Sequence, residues 1–395
     1  MSMTRRRFGA GLCGCAFFAL AGQAGAQARS WLEGRQFVEP GYRPPAQTDE
    51  KGIWSLLDRM EREIRDSRFL IRDRQLSDYV RDIICRLASR HCPDVRAYLV
   101  RTPHFNASMA PNGMMQIWTG LLLRCRDEAQ LAAIVGHELG HYLRRHTIER
   151  WRDVRSKANV SAFLGLGLSV AGAPGWAGLL ADAVLLASIF AFSREQEREA
   201  DEIGLNLMAD AGYAPAATPE VWDQLIAEFK KSTADRERAF LFATHPEPEE
   251  RVVTMREHSS RRGAAAGERA VGRYRARLAP IRARLVGDEL ALRQYGRSEI
   301  VFDQLLGDAP NDGLLWYAKG ELYRLRAEAG DGPKALAAYQ RALEGEGAPP
   351  EVHRGIGLVE LSSGARDRAR DAFEAYFSRR PGATDADALR ALVTQ

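Results

Sequence analysis

The sequence has almost no excess of charge of either sign, which argues against a nucleic-acid partner. Its 395 residues include 56 Lys and Arg against 52 Asp and Glu, a net charge of +4. Residues 1–26 hold three arginines and no acidic residue, so the rest of the chain carries 53 basic and 52 acidic side chains. Because a near-neutral chain offers little attraction for a phosphate backbone, we expect no nucleic-acid partner.

Cysteine is also scarce, and its spacing excludes a zinc knuckle. Five cysteines are present, and two of them, Cys13 and Cys15, fall within the first 26 residues. The other three, Cys85, Cys92 and Cys125, lack the Cys-Xaa-Xaa-Cys clusters of structural zinc sites. In an oxidising compartment two of the three could pair, but the sequence does not say which, and buried thiols explain them equally well.

The N-terminal apolar run is too short to be a permanent membrane span. Three arginines at 5–7 precede an apolar stretch at about residues 9–21, and small residues follow at 24–28. A basic start, a short apolar run and small residues are typical of an export signal. We therefore predict a signal peptide at residues 1–26, with features of a twin-arginine signal, and a periplasmic protein.

A second apolar segment, residues 160–192, carries one charged residue, Asp182, and is interrupted at Gly172-Ala173-Pro174-Gly175. The part before the interruption is shorter than the roughly 20 residues that a spanning helix needs. We therefore predict a pair of buried or interfacial helices rather than a membrane hairpin. Contact of this segment with a membrane surface remains open.

The remaining apolar pattern predicts mainly helices with one small sheet. Apolar residues recur at helical spacing over 53–64 and 76–87, and again in a helix that should begin at Asp127. Short strands are predicted at Ala97–Val100, Ala107–Ala110 and Met114–Trp118. The fold class expected is thus mainly α, an α+β region with one small β-sheet followed by an α-helical region.

The strongest chemical signal is His137-Glu138-Leu139-Gly140-His141, which lies within the helix predicted from Asp127. Residues four apart share a helical face, so His137 and His141 can present both imidazoles to one metal ion. Glu138 lies beside them, close enough to act on water without replacing a ligand. This is the zincin motif, in which zinc is the Lewis acid and the glutamate the general base of peptide hydrolysis.

Zinc needs a third protein ligand, and the sequence offers several. A three-histidine site would require histidine where Thr147 stands, and His146 is expected to cap or pack at the helix end. In the carboxylate-rich segment 193–201, Glu197 and Asp201 share a helical face. That spacing suits one metal ligand and one acceptor for the second N–H of a ligand histidine. On chemistry alone, other glutamates compete with Glu197: Glu195, Glu199 and Glu202.

The last third of the chain carries an internal repeat. Two sets of residues match the tetratricopeptide pattern: Trp316, Gly320, Tyr323, Ala335, Tyr339 and Ala342, then Gly357, Gly364, Ala369, Phe373 and Pro381. The first set matches only if about three residues are inserted at Gly330-Asp331-Gly332. Small residues are needed where paired helices approach, and aromatic residues fill the gaps. The alternative is an Ala-rich helical bundle without a repeat.

These segments predict the domain organisation. After the signal peptide at 1–26 we place a zinc metallopeptidase domain at 45–260, a linker at 261–279 and a tetratricopeptide-repeat domain at 280–395.

With these motifs the chain resembles the gluzincin metallopeptidases of the HtpX and CAAX-prenyl-protease type. The resemblance is carried by residues 137–141, by Ser193–Asp201 and by Asn106–Gly113. An export signal with tetratricopeptide repeats is typical of the periplasmic branch, the beta-barrel assembly-enhancing proteases. The resemblance implies one Zn²⁺ per chain, with Glu197 as the third ligand. Asp201 would accept a hydrogen bond from the second N–H of a ligand histidine.

The resemblance also implies roles for two further segments. Asn106, Ala107, Ser108, Met109 and Ala110 would form an edge strand that pairs with the substrate backbone. Ser108 and Met109 differ from the bulkier apolar residues usual there, which bears on side-chain preference. His245-Pro246, followed by Arg251, resembles a third motif. His245 could hold the site latent, stabilise the developing oxyanion, or be a turn residue.

The implied partners are protein substrates, namely misfolded or stalled outer-membrane proteins or their assembly machinery, reached through the repeats. A rival interpretation is a repeat-based periplasmic chaperone or assembly factor with a latent metal site. Its partner binding would survive the loss of Glu138. A second rival is a membrane-anchored peptidase held through residues 160–192.

Overall fold

The computed structural model describes residues 30–32, 34–157, 192–231, 245 and 248–394. The predicted signal peptide and the apolar segment 160–192, except its last residue, lie outside the described residues. In the described part of the chain, no helix is both long enough and apolar enough to cross a membrane. Residues 1–37 and 38–395 are separate units. In the first, Ser30–Leu32 form a 3₁₀ turn and the Trp31 and Phe37 rings meet edge to face.

The first half of the second unit is a layer of helices around a small sheet. Its helices begin where the sequence supplies caps: Thr48, Asp73, Asp127 and Ser193 each accept a hydrogen bond from a first-turn amide. The helices are Asp49–Asp66, Arg74–Ala88, Thr119–Arg124, Glu128–Arg144, His146–Lys157, Arg194–Asp210, Ala217–Phe229 and Pro248–Arg261. A 3₁₀ segment, Ser89–Asp94, follows the second of them.

The sheet has the order β1-β3-β2, with β1 at Arg96–Val100, β2 at Ala107–Met109 and β3 at Met114–Trp118. β1 runs parallel to β3 and β2 runs antiparallel to it, and β1 and β2 are the two edge strands of the described sheet. All three strands were predicted within one residue of their bounds. One face packs on the helix Asp49–Asp66 through a buried cluster that includes Leu57, Val100 and Trp118.

The second half contains seven described helices and one isolated β-bridge, Asp312 to Glu346. The helices are Val271–Ala291, Tyr295–Asp308, Gly313–Arg326, Asp331–Glu344, Glu351–Ser362, Arg366–Arg379 and Ala386–Thr394. Four of them pack as two pairs, the third with the fourth and the fifth with the sixth. A side chain at Gly320 would overlap the Tyr339 ring, and one at Gly357 would overlap the Phe373 ring. Small residues therefore lie where paired helices approach most closely, as the repeat interpretation requires; the tetratricopeptide assignment itself stays a prediction.

The mainly α fold class with one small sheet and a helical C-terminal region is confirmed. Residues 261–279, which the sequence indicated as a linker, contain a β-bridge from Glu268 to Tyr213 and the first turns of the helix Val271–Ala291. Cys85 and Cys92 form a disulfide, and Cys125 is a buried thiol. The disulfide ties the end of the helix Arg74–Ala88 to the 3₁₀ segment that leads into β1.

Candidate metal centre

His137, Glu138 and His141 lie in the second half of the helix Glu128–Arg144, here called the motif helix. Asp127 caps its start by accepting from the Gln130 amide at 2.9 Å. Nearly every residue of this helix is buried, the two histidines and the glutamate included. Imidazole and carboxylate groups that are removed from water need compensating partners, so the surroundings of these three side chains decide what the site can do.

A second helix, Arg194–Asp210, here called the carboxylate helix, supplies the partners. Ser193 and Gln196 form a capping box at its start, which fixes the first turn that carries Glu197. Glu197 is fully buried, and Asp201 one turn later is nearly so. Glu195 is exposed and Glu202 half-buried, and neither belongs to the cluster found among the described residues.

Glycines bring the two helices together. A Cβ on Gly204 would lie 2.5 Å from the backbone nitrogen of His137, and one on Gly136 would lie 2.8 Å from the carbonyl oxygen of Gly204. Gly140 contacts Ala200 in the same way. The helix backbones therefore touch, and this close approach lets short carboxylate side chains on one helix reach the histidines on the other.

The result is a compact group of metal-binding atoms. Ligand atoms of His137, His141, Glu197 and His245 all lie within 4.8 Å of one another. The Nε2 atoms of His137 and His141 are 3.1 Å apart, and they lie 3.6 and 3.4 Å from oxygens of Glu197. Ligand atoms of a tetrahedral zinc site are about 3.3 Å apart, given bonds of about 2.0–2.1 Å. The donor spacing therefore fits one metal ion. His245 Nδ1 lies at the same spacing as the three predicted ligands, 3.3 Å from His137 Nε2 and 3.0 Å from Oε1 of Glu197.

The tautomer of His137 supports the same conclusion. Its Nδ1 lies 2.9 Å from Oδ1 of Asp201, and because Arg251 holds Asp201 as a carboxylate, His137 donates this hydrogen bond. In the neutral imidazole, Nε2 then carries a lone pair directed at the cluster. This lone pair and the Glu197 carboxylate converge on one region, an arrangement that a bound cation would stabilise.

Arg251 organises the carboxylates. Its Nε and Nη2 each donate to Asp201 at 2.7 Å, and Nη1 lies 2.5 Å from Glu197. The guanidinium also stacks on Trp222, 4.6 Å from the ring centre. Burial alone would raise the pKa of Glu197, but Arg251 and His245 outweigh it and hold the pKa well below its usual range. The Glu197 side chain is thus a carboxylate at neutral pH.

Glu138 differs from Glu197 in its electrostatics. Burial raises the pKa of Glu138 above its usual value, although His245, His137 and the backbone amide of Met109 oppose the shift. A carboxylate whose proton affinity is raised is suited to take a proton from water and to return it. Met109 belongs to β2, so the same interaction places the predicted general base beside the predicted substrate strand.

β2 offers backbone groups to a substrate. Asn106 and Ala110 bond to β3, through Trp118 N–H to Asn106 O at 3.0 Å and Ala110 N–H to Met114 O at 2.8 Å. In an antiparallel pair the direction of these bonds alternates, so the N–H and C=O groups of Ala107 and Met109 point away from β3. The Met109 N–H is directed at Glu138. The outward groups that can pair with an added strand are therefore the C=O of Met109 and the N–H and C=O of Ala107.

His245 lies inside the cluster rather than at a surface turn. Its Nδ1 is 3.0 Å from Oε1 of Glu197 and its Nε2 is 3.7 Å from Oε1 of Glu138. Burial lowers the pKa of His245, but the adjacent carboxylates, Glu197 foremost, outweigh that effect and raise it overall. His245 therefore stands between the predicted third ligand and the predicted base.

Three further side chains lie around His141: the Phe192 ring stacks on it at 3.8 Å, His146 contacts it, and Glu199 contacts His146. His146, expected only to cap or pack, is fully buried, with its Nδ1 3.0 Å from Nδ1 of His141. Glu199, a competing ligand candidate, bonds to His146 Nε2 at 3.1 Å and to Arg144 at 2.7 Å. Only the close packing of the two helices creates these contacts, so sequence spacing gave no signal for them.

Comparison with known proteins agrees with this geometry. Residues 70–259 match Peptidase family M48. The putative beta-barrel assembly-enhancing protease of Vibrio cholerae is 29% identical over 212 residues, 51% of this chain and 43% of that protein. The beta-barrel assembly-enhancing protease of Escherichia coli K12 is 28% identical over 208 residues, 50% of this chain and 42% of that protein. The mitochondrial metalloendopeptidase OMA1 of Schizosaccharomyces pombe is 32% identical over 162 residues, 40% of this chain and 45% of that protein.

The chain thus spans less than half the length of these relatives. A family profile and a group of converging metal-binding side chains point to the same part of the chain: residues 70–259, just under half of it, match peptidase family M48 and contain the cluster.

Proposed function

We propose that this protein is a periplasmic zinc-dependent endopeptidase, with zinc held by His137, His141 and Glu197. The observation that carries the proposal is the convergence of two imidazole lone pairs and one anionic carboxylate at tetrahedral spacing. Two nitrogens and one carboxylate are a typical catalytic zinc set. Zinc bound there would supply Lewis-acid chemistry, polarising the scissile carbonyl and making water acidic.

The chain's own residues perform the remaining steps. The outward backbone groups of Ala107 and Met109 hold the substrate as an added strand and bring its scissile bond to Glu138. Glu138 takes a proton from the attacking water and delivers it to the leaving amine. Asp201, fixed by Arg251, keeps His137 in the tautomer that binds metal through Nε2.

His245 gives this site a closed state. Its imidazole lies within hydrogen-bonding distance of Glu197 and near Glu138, where water must enter. We propose that His245 must move before Glu138 can act, which makes it a latch rather than a stabiliser of the oxyanion. His245→Ala should then raise the rate of peptide cleavage; a lower rate at equal zinc content would assign it the oxyanion role instead.

The relatives' names give the proposal a substrate class. Beta-barrel assembly in those names supports outer-membrane proteins, or their assembly machinery, as targets. We propose that the C-terminal helices form tetratricopeptide repeats that select such proteins. Because His245 would close the site, the alternative function is that of a periplasmic chaperone or assembly factor with a latent metal site. Partner binding by that protein would be unchanged in Glu138→Gln, with no cleavage by the wild type.

Cleavage of casein by the wild type and by Glu138→Gln, with zinc content measured on the same samples, tests the enzyme. Removing the general base costs roughly 10²–10⁴ in rate. We expect Glu138→Gln to bind one zinc per chain and to lose cleavage by at least that factor. Wild-type rates in a zinc-loaded Glu138→Gln protein would contradict the role of Glu138.

A further inference from the structure

The two proposed ligand histidines of the motif helix, His137 and His141, contact different groups through their Nδ1 atoms. His137 donates through Nδ1 to a carboxylate, Asp201. The corresponding atom of His141 faces a third imidazole, that of His146, at 3.0 Å. Neither the family match nor the relatives assign a role to His146.

The backbone turn at Arg145 places His146 there. The motif helix ends at Arg144, and Arg145 adopts a left-handed conformation with φ 60° and donates its N–H to the carbonyls of His141 and Tyr142. The next helix begins at His146, so a single left-handed residue separates the two helices. This break in the helix leaves the His146 ring beside that of His141.

Glu199 then determines which nitrogen of His146 carries the proton. Glu199 is a carboxylate, held by Arg144 at 2.7 Å, so the contact to His146 Nε2 at 3.1 Å is a hydrogen bond donated by the imidazole. A neutral His146 with its proton on Nε2 has an acceptor at Nδ1. That acceptor faces Nδ1 of His141, which must therefore be the donor.

The position of this proton determines whether Nε2 of His141 can bind a metal ion. A His141 ring that carries its proton on Nδ1 has its lone pair on Nε2, the atom 3.1 Å from Nε2 of His137 and 3.4 Å from Glu197. The opposite tautomer would direct an N–H into the cluster and could not bind a cation there. We propose that His146 and Glu199 form a relay that fixes the tautomer and orientation of His141 for metal binding. Both are positioning residues, since neither touches the cluster's centre.

The inference rests on the proposed zinc site but concerns affinity rather than cleavage. Partners behind a ligand histidine contribute about 10–100-fold to metal affinity. In His146→Phe the ring volume is kept and the acceptor is removed, so His141 loses its orienting bond. In Glu199→Gln an amide can donate to His146 Nε2 as well as accept from it, so the tautomer is no longer fixed and a smaller loss follows.

The experiment measures the Zn²⁺ affinity of the full chain by competition with a chromogenic chelator. We expect His146→Phe to weaken binding about 10–100-fold and Glu199→Gln to weaken it less. The visible spectrum of the Co²⁺-loaded protein should change in His146→Phe, because the field of one ligand is altered. His104→Phe, which replaces another buried histidine outside the cluster, is the control and should leave zinc affinity unchanged.

A mutant cycle separates positioning from a general packing defect. If His146 acts through His141, then in a His141→Ala background His146→Phe should change zinc affinity by less than about twofold, and thermal unfolding of the metal-free single variant should stay close to wild type. Unchanged zinc affinity in His146→Phe, or a full loss that persists in the His141→Ala background, would overturn the relay. Neither result bears on whether Glu138 supports cleavage, so the proposed function stands or falls separately.

Discussion

At the scale of single residues, the site depends on the absence of side chains as much as on their presence. Glu197 and Asp201 reach the histidines because Gly136, Gly140 and Gly204 let two helix backbones touch. No chemical group of these glycines takes part in the proposed reaction. Their contribution is the distance between the motif helix and the carboxylate helix.

Gly204→Ala tests that contribution. The added methyl would lie 2.5 Å from the His137 backbone nitrogen, so the helices must separate or tilt. We expect a loss of about 1–3 kcal/mol in the free energy of unfolding and weaker zinc binding, because Glu197 moves with its helix. Gly287→Ala is the matched control, since Gly287 is an exposed helical glycine with open space around it. It should be neutral or stabilising by up to about 1 kcal/mol. Equal effects of the two variants would contradict the packing argument.

At the scale of secondary-structure elements, the turn between β2 and β3 is held by a buried carboxylate from another element. Glu61, on the helix Asp49–Asp66, accepts two hydrogen bonds from Arg96 of β1 at 2.6 and 2.7 Å. It also accepts from Tyr98 at 2.7 Å and from Asn112 of the turn at 3.3 Å. The position of the proposed substrate strand therefore depends on the charge of Glu61.

Glu61→Gln should lower stability in a pH-dependent way. Burial raises the pKa of Glu61, but Arg96 and Tyr98 outweigh it and hold the pKa below the usual 4.5. The depressed pKa means that the stabilisation is complete above pH 4.5 and is lost as pH falls through the folded-state pKa. Urea unfolding should show a deficit of about 1.5 kcal/mol near neutral pH that shrinks in acid. The exposed neighbour Glu63 supplies the control, Glu63→Gln. A deficit independent of pH would contradict the role of the charge.

Elements were easier to predict from the sequence than contacts between them. Apolar periodicity and turn residues located the three strands and the helices around residues 53–64, 76–87 and 128–144, because these patterns act within one segment. The four-residue spacing of His137 and His141 likewise acts within one helix, so it predicted that both imidazoles lie on the same side of the site. Glu197 could not be separated from Glu195, Glu199 and Glu202 without a family resemblance. The position of His146 depends on a left-handed residue and on helix packing, which no local pattern encodes.

At the scale of the whole molecule, buried ion pairs join the region that matches family M48 to the C-terminal helices. Arg124, in the matched region, bonds to Glu228 of the same region at 2.7 Å and to Glu289 at 2.9 Å. Glu289 lies in the helix Val271–Ala291 and is also bonded by Arg297 and Ser298. All four charged side chains are at most 4% exposed. The described helices on the two sides should therefore unfold together.

Arg124→Met tests this coupling. It leaves two buried glutamates without their main counter-charge, and breaking a buried pair in this way costs about 3–5 kcal/mol. We expect a large fall in the free energy of unfolding of the full chain, seen by circular dichroism. Arg256→Met, which removes an exposed pair with Asp223, should cost under about 1 kcal/mol. Similar costs for the two variants would show that the Arg124 cluster does not hold the two parts together.

The most direct measurement for the whole account is a zinc titration of the metal-free protein with casein cleavage as the readout. If His137, His141 and Glu197 form one catalytic site, cleavage should be absent without metal and rise with added Zn²⁺ until one equivalent per chain is bound. Full cleavage by the metal-free protein, or one bound zinc per chain with no cleavage by either the wild type or His245→Ala, would contradict it.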